Sequence, residues 1–270
     1  MRDSVPDEAP LRVSLVIPAY NEESRLEPTL RDSLAWFQAR RIAFEIIVVD
    51  DGSTDGTSTL VLGLARQFPA LRLIRLPSNH GKGFAVRTGI LNANGVLVLF
   101  ADADGATPIA EFERLETAIR DGADVAIGSR ALREGDVRVQ ARFYRRLMGR
   151  TFHRLVSLLA VRGFHDTQCG FKLFRGDVAH DLFSRMRMNG FSFDVELLLM
   201  ARRQGYRVRE VPVNWTHQAG SRINLVTDSM RMALDLFVIR GHLVRGHYDR
   251  PRLGRVRADA PVDERAVSSG

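Results

Sequence analysis

Leu97-Val98-Leu99-Phe100-Ala101-Asp102-Ala103-Asp104-Gly105-Ala106 is the stretch that decides the fold. Its apolar run is long enough for one buried strand, and it stops abruptly at two carboxylates spaced two apart, followed by glycine. Strands buried on both faces belong to parallel sheets covered by helices. In such open sheets ligands bind just outside the carboxyl ends of the strands. Two hard oxygen donors there suit Mg²⁺ or Mn²⁺, which are commonly held by one or two carboxylates and completed by a substrate's phosphates. Asp and Gly are also ordinary turn residues, so a plain surface turn is the competing reading of this stretch alone.

Around it, apolar runs alternate with segments of helical spacing. Residues 12–18 read as a first strand ended by proline, and 22–39 as a helix with Leu26, Leu30, Leu34 and Phe37 on one face. A second buried strand at 44–49, a helix at 55–67, a strand at 71–76 and a helix at 83–92 lead into the strand at 96–100. A helix at 108–121 and a strand at 124–127 follow. This alternation predicts an α/β fold with a mostly parallel, twisted, doubly wound sheet flanked by helices.

After Ser129 the character changes. Residues 138–161 read as a long basic amphipathic helix, 164–174 as a loop and strand, 176–186 and 194–204 as helices, and 208–215 as a strand. A final helix spans 224–245, with Leu225, Met232, Leu236, Ile239 and Leu243 along one side. The expected organisation is a disordered start over 1–11, one domain over 12–245 with a basic helical C-terminal extension, and a disordered tail over 246–270. Within the domain, 12–130 and 131–245 form two functional halves.

Bulk properties narrow the function classes. The 270 residues, 45% of them apolar, suit one sizeable core. The single Cys169 excludes an internal disulfide framework and a Cys-rich zinc site. Residues 1–10 lack a signal-peptide pattern, and no apolar run approaches the ~18–20 residues of a bilayer span. The expectation is a cytoplasmic protein, peripheral on the cytoplasmic face of a membrane. Residues 1–128 carry 13 basic and 18 acidic side chains, whereas 129–270 carry 26 and 14. The second half therefore suits an anionic membrane surface or a phosphorylated substrate. Nucleic acid is set aside because no aromatic–basic platform or recognised module is present. Of the 39 basic residues only Lys82 and Lys172 are lysines.

Three other strand ends carry polar clusters. Pro18-Ala19-Tyr20-Asn21-Glu22 offers backbone groups and an aromatic ring to a planar base. Asp50-Asp51-Gly52-Ser53-Thr54-Asp55 offers a carboxylate to a base N–H and a hydroxyl to cap the next helix, although one or two of these residues serve only to cap and turn. Asn79-His80-Gly81-Lys82-Gly83 sets a glycine-flanked lysine before a helix, an anion site without the spacing of a P-loop. No Gly-x-Gly-x-x-Gly follows the first strand, which argues against a nicotinamide dehydrogenase. The glycine-arginine-lysine signature of a nucleotidyltransferase is absent as well.

Taken together, these four clusters resemble the inverting family 2 glycosyltransferases of GT-A fold. Gly128-Ser129-Arg130, the segment Asp166-Thr167-Gln168-Cys169-Gly170-Phe171-Lys172-Leu173-Phe174, Phe193-Asp194-Val195-Glu196-Leu197-Leu198 and Val213-Asn214-Trp215-Thr216 resemble the dolichyl-phosphate β-glucosyltransferases. The resemblance covers about residues 12–245. It implies that Pro18, Ala19, Tyr20, Glu22 and Asp50 hold base and ribose, with Asp51, Gly81 and Lys82 on the same nucleotide-sugar side. It also implies that Asp102 lies near ribose and metal, that Asp104 ligates Mg²⁺ or Mn²⁺, and that Arg130 neutralises phosphate charge. Arg145, with Arg146 and Arg222, would take the acceptor phosphate. Gly149 and Ala106 depart from the related mannosyl enzymes, which carry serine and a polar residue there.

The implied reaction moves a sugar, glucose favoured, from a nucleotide-diphosphate sugar such as UDP-glucose to a polyprenyl phosphate, dolichyl or undecaprenyl. A phosphate monoester, with its second pKa near ~6, is already largely anionic at neutral pH, so a general base is dispensable. Asp194 and Glu196 remain open as base, as arginine-orienting groups, or as partners of nearby arginines. The 138–161 and 224–245 helices read either as interface helices on an anionic membrane or as packed elements. The histidines His153, His165, His217, His242 and His247 have no ligand spacing and read as structural or surface residues. Competing readings are a mannosyl enzyme using GDP-mannose, a transferase with a non-lipid acceptor, and a nucleotide-binding scaffold without activity.

Overall fold

The computed structural model describes residues 11–132, 139–140, 163–218 and 225–249. The strands are β1 (Val13–Ala19), β2 (Phe44–Asp50), β3 (Leu71–Arg75), β4 (Leu97–Ala101), β5 (Val125–Ser129), β6 (Val139–Gln140), β7 (Phe171–Arg175), β8 (Val208–Pro212) and β9 (Trp215–Thr216). The helices are α1 (Leu26–Ala39), α2 (Thr57–Ala65), α3 (Lys82–Leu91), α4 (Phe112–Arg120, entered through a 3-10 turn at Ile109–Glu111), α5 (Gly176–Arg185), α6 (Phe193–Arg203) and α7 (Leu225–Val244). Seven strands make the main sheet in the order β3-β2-β1-β4-β7-β5-β8, and β6 pairs with β9 in a separate short ribbon. All pairs are parallel except those of β7, which runs antiparallel to β4 and β5.

Successive strand residues point to opposite faces, and each face has its own core. Leu15, Ile17, Ile46, Val48 and Leu99 pack on one side with Leu30 and Phe37 of α1, Val61 of α2 and Leu115 of α4. Val16, Ile47, Val49, Val98 and Phe100 pack on the other with Val86 of α3, Phe183 of α5, Leu197 of α6 and Leu236 of α7. Covering both faces explains why the strands read as unbroken apolar runs.

One detail of register positions the site. β1 pairs with β4 only from Val13↔Leu97 to Val16↔Phe100, while its pairing with β2 continues to Ala19↔Asp50. Beyond Val16 the two central strands part, and a crevice opens between them. Pro18 was expected to end the strand but lies inside β1, where only β2 flanks the chain and a missing N–H does not break a ladder on the β4 side.

Other expectations need correction. The helix expected from residue 22 starts at Leu26, because residues 21–25 form a turn in which the N–H groups of Arg25 and Leu26 reach back to Glu22 C=O at 3.0 and 2.9 Å. The strand expected over 208–215 breaks at Val213-Asn214, where the Asn214 amide donates to Glu111 Oε1 at 2.6 Å. Val139–Gln140 is strand rather than helix, and the remainder of the expected 138–161 helix lies outside the described residues.

The chain also does not leave the fold at residue 246. A turn after α7 folds Tyr248 into a fully buried position, its hydroxyl donating to Glu196 Oε1 at 2.6 Å. Arg185 and Gln204 donate to its carbonyl at 3.1 and 2.6 Å. A single aromatic anchor in a polar stretch leaves no periodic trace in the sequence. Among the described residues no helix is long and apolar enough to cross a membrane.

Candidate functional site

The turns after β1 and β2 are built against each other. Asn21, in the left-handed region at φ +54°, accepts the Thr54 N–H through Oδ1 at 2.8 Å, and its own N–H donates to Ser53 Oγ at 2.8 Å. Asp50 is fully enclosed, accepting the Ser53 N–H at 2.8 Å and the Ser58 hydroxyl. Asp51 accepts the N–H groups of His80 and Gly81, both at 2.8 Å, and so pins the loop that carries Lys82. Burial pushes the Asp51 carboxyl above the usual range in spite of these bonds.

Asp50 and Asp51, which the resemblance puts on the nucleotide side, both accept hydrogen bonds within the turns. A carboxylate just past a strand is the nearest acceptor for the free N–H groups of the following loop. Pro18 and Ala19 are likewise buried in β1, which leaves Tyr20, 38% exposed, and the half-buried Glu22 to present surface at this edge.

β4 delivers Asp102 and Asp104 to the open fork. Asp102 Oδ1 lies 2.6 Å from Lys82 Nζ at the start of α3. Gly170 packs directly against the Asp102 carboxylate, in space that any Cβ would fill, and its carbonyl accepts the Asp102 N–H at 3.0 Å. Asp104 Oδ1 accepts the Ala106 N–H at 3.1 Å. Ala106 thus contributes through its backbone, and its carbonyl takes the Thr216 N–H at 2.9 Å, tying β9 to the loop. Burial, then the like charge of Asp102, raises the Asp104 carboxyl above its usual range. Although burial opposes the charged form of Lys82, the carboxylates of Asp102, Asp194 and Asp104 outweigh it and raise the ammonium pKa.

Among the described residues no group of three or more His, Cys, Asp or Glu side chains gathers to hold a metal. The donor set in the fork is two hard carboxylates. It fits a divalent cation whose remaining ligands come from a substrate and water. Beside Asp104 lies a cleft of about 300 Å³ that Arg25, Thr29 and Asp32 of the α1 region share with Asp102, Asp104 and Gln218.

A second layer of charge lies behind the fork. Lys172 of β7 is fully buried, its Nζ 2.6 Å from both Asp194 Oδ1 and the Cys169 carbonyl. Asp194, 4% exposed, is therefore paired with a lysine rather than an arginine. Burial raises its carboxyl despite Lys172 and Lys82. Glu196 is a structural acceptor, taking the N–H groups of Arg187 and Met188 and the Tyr248 hydroxyl.

Arg130, just past β5, was expected to neutralise phosphate charge. Its Nε and Nη2 grip Asp166 at 2.6 and 2.8 Å, and its N–H adds a third bond at 3.0 Å. Burial alone would raise the Asp166 carboxyl, but Arg130 outweighs burial and holds it at about 2. Burial pushes the Cys169 thiol up to about 12, which leaves it inert as a nucleophile. His165 sits exposed against Glu210, and His242 contacts the Tyr248 hydroxyl at 3.2 Å. Arg145, Arg146, Arg222 and His153 lie outside the described residues.

The role of Lys172 was missed by reading motifs alone. A signal for it was nevertheless present: a chain with 39 basic residues uses lysine only twice, and both ammonium groups sit 2.6 Å from a carboxylate of this cluster.

The sequence matches the family model described as glycosyl transferase family 2 over residues 14–183. A dolichyl-phosphate beta-glucosyltransferase from Drosophila melanogaster is 41% identical over 249 residues, covering 87% of this chain and 76% of the relative. The Homo sapiens protein of the same name is 38% identical, over 90% of this chain and 79% of the relative. In fold, the chain is similar to glucosyl-3-phosphoglycerate synthase from Mycobacterium tuberculosis, solved in complex with Mn²⁺, UDP-Glc and phosphoglyceric acid. The TM-score is 0.62 at 20% identity, covering 85% of this chain and 80% of that one. With its carboxylates and lysine gathered at the carboxyl ends of a mostly parallel sheet, the chain belongs to glycosyl transferase family 2.

Proposed function

We propose that this glycosyltransferase moves glucose from UDP-glucose to dolichyl phosphate or a closely related polyprenyl phosphate, with inversion at C1. The observation that carries the reading is the Asp104–Asp102–Lys82 cluster in the β1–β4 fork, on a chain 41% identical to a protein named dolichyl-phosphate beta-glucosyltransferase. An acceptor phosphate oxygen forms the new bond to C1 while the bond from C1 to the diphosphate oxygen breaks, and the electron pair leaves with UDP.

The acceptor phosphate, with a second pKa near ~6, needs no base to remove a proton. The engagement of Asp194 with Lys172 agrees with a reaction that uses none. What the residues must do is hold two anions together and stabilise the leaving diphosphate. Lys82 supplies positive charge at the diphosphate, and Tyr20 offers its exposed ring to the base. Asp102 and Asp104 would hold Mg²⁺ or Mn²⁺, which when bound neutralises charge on the leaving group. Arg130 orients the β5 end through Asp166, with one guanidinium nitrogen left to face a phosphate. Arg145, Arg146 and Arg222 are assigned to the acceptor phosphate.

Attachment to a lipid surface is supported by α7. The helix buries Met232, Leu236 and Ile239 while exposing Leu234, Phe237, Val238 and Val244, with Arg240 and Arg245 exposed beside them. Such a face suits the interface of an anionic membrane.

The test is a panel of radiolabelled UDP- and GDP-sugars with Mn²⁺ and vesicles containing dolichyl or undecaprenyl phosphate, scored for an organic-soluble, acid-labile product. UDP-glucose is expected to give that product. Labelling from GDP-mannose alone would replace the sugar assignment, and no product from any donor would overturn the lipid acceptor.

A further inference from the structure

We infer that Lys82 is a built-in stand-in for the metal: its ammonium occupies Asp102 in the ligand-free protein and leaves that carboxylate when a divalent cation arrives. The inference rests on the proposed role of Asp102 and Asp104 as the metal's protein ligands.

Three observations carry it. First, the ammonium lies 2.6 Å from Asp102 Oδ1. A Mg²⁺ ion binding the same carboxylate at ~2.0–2.1 Å would be brought against a like charge, so the two cations compete for one place. Two further ion pairs, Lys172–Asp194 at 2.6 Å and Arg130–Asp166 at 2.6 Å, lie in the same cluster.

Second, Lys82 is poised to move. It is the first residue of α3, at the positive end of the helix dipole, where a cation is disfavoured. Asp102 offsets that disadvantage, and the Lys82 side chain is 23% exposed where that of Lys172 is wholly enclosed. The backbone beneath it is held, since Asp51 accepts the Gly81 N–H and the space a Gly81 side chain would need is taken by the Asn189 carbonyl. Movement is therefore confined to the side chain. Lys82 Nζ lies 5.4 and 5.9 Å from the Phe100 and Phe191 ring centroids, so two aromatic rings flank the ammonium beside Asp102.

Third, the residue is one of only two lysines among 39 basic side chains, and the other, Lys172, is fully buried. A compact ammonium on a flexible stem changes partner readily, whereas a planar guanidinium favours one fixed bidentate partner. Arg130, gripping Asp166 in that bidentate way, illustrates the second case within the same site.

Displacement makes metal and donor binding cooperative. A metal arriving alone must strip Lys82 from its partner, whereas a metal arriving with the donor offers the ammonium a diphosphate in exchange. Mn²⁺ is therefore expected to bind at least about tenfold more weakly without UDP than with it, the equivalent of one pK unit of charge interaction.

The two lysines make the test direct. The full chain is produced with side-chain ¹³C,¹⁵N-labelled lysine, so that Lys82 and Lys172 give the lysine signals and Lys172 serves as internal reference. Mg²⁺ without nucleotide is expected to shift the Lys82 signal and leave Lys172 in place. In parallel, Mn²⁺ binding is followed by electron paramagnetic resonance. Lys82→Met and Lys82→Gln are expected to bind Mn²⁺ alone about tenfold more tightly and to lose the enhancement by UDP, with an unmoved Lys172 signal reporting an intact core. If Mn²⁺ binds while Lys82 stays unshifted and the variants bind no tighter, the stand-in role is refuted and the metal site stands. Absence of Mn²⁺ binding with and without UDP overturns the metal site and the inference together.

Discussion

Replacing Arg130 by alanine tests whether this residue acts first through Asp166. The Asp166 side chain is 9% exposed, and the guanidinium and N–H of Arg130 give it three hydrogen bonds. Its carboxyl is held at about 2 against a usual 3.8. That difference corresponds to about 2 kcal/mol once the partial exposure of Arg130 is discounted. Truncation also leaves a buried carboxylate without its cation, which brings the expected loss at pH 7 to about 2–3 kcal/mol.

The sign with pH follows from the depressed folded-state value. Asp166 contributes its full stability above about pH 4, and that contribution is lost as pH falls from there through about 2. The gap between wild type and Arg130→Ala should therefore be widest near neutrality and close over the acid range. Urea denaturation at a series of pH values from 7 to about 2.5 measures it. A variant as stable as wild type at pH 7, or a gap that stays constant down to the acid end, would refute the reasoning. It would return Arg130 to a role on bound phosphate alone, in which case only the donor KM would rise.

Asp104→Asn removes one of two like charges while keeping the acceptor for the Ala106 N–H. It should cut transfer by at least about 100-fold without lowering Tm; retained metal-dependent turnover would count against Asp104 as a ligand. Gly170→Ala should be as folded as wild type by circular dichroism yet impaired in Mn²⁺ binding, because the added methyl lands on the Asp102 carboxylate. Unchanged binding would show that Asp102 has room to shift. Tyr248→Phe strips the hydroxyl from the fully buried Glu196 and should cost about 1–3 kcal/mol in urea unfolding. A smaller loss would mean that the C-terminal turn is not anchored there.

Much of this arrangement was legible in advance. The alternation of buried strands and amphipathic helices, the polar clusters at four strand ends and the two carboxylates after β4 all lie in continuous stretches. Local periodicity and turn chemistry report on such stretches directly. Less legible were the partners of the charged groups. Asp50 and Asp51 carried the expected motif, yet the neighbouring turns claimed both carboxylates. Asp194 was open as a base, an arginine-orienting group or the partner of an arginine, and a lysine from an antiparallel strand 22 residues away holds it.

By itself, then, the amino-acid sequence determined which segments become strands and helices, and that their carboxyl ends gather acidic and basic groups around Asp102 and Asp104. Only the tertiary structure decided how those groups pair. β1 and β4 part beyond Val16 and Phe100, β7 enters antiparallel beside β4, and the resulting fork brings Lys82 to Asp102 while Lys172 stays behind with Asp194. Strand and helix formation is governed by residues a few positions apart. A buried charge instead takes the partner that strand order brings within ~3 Å, because an unpaired charge in a low-dielectric interior is too costly to leave.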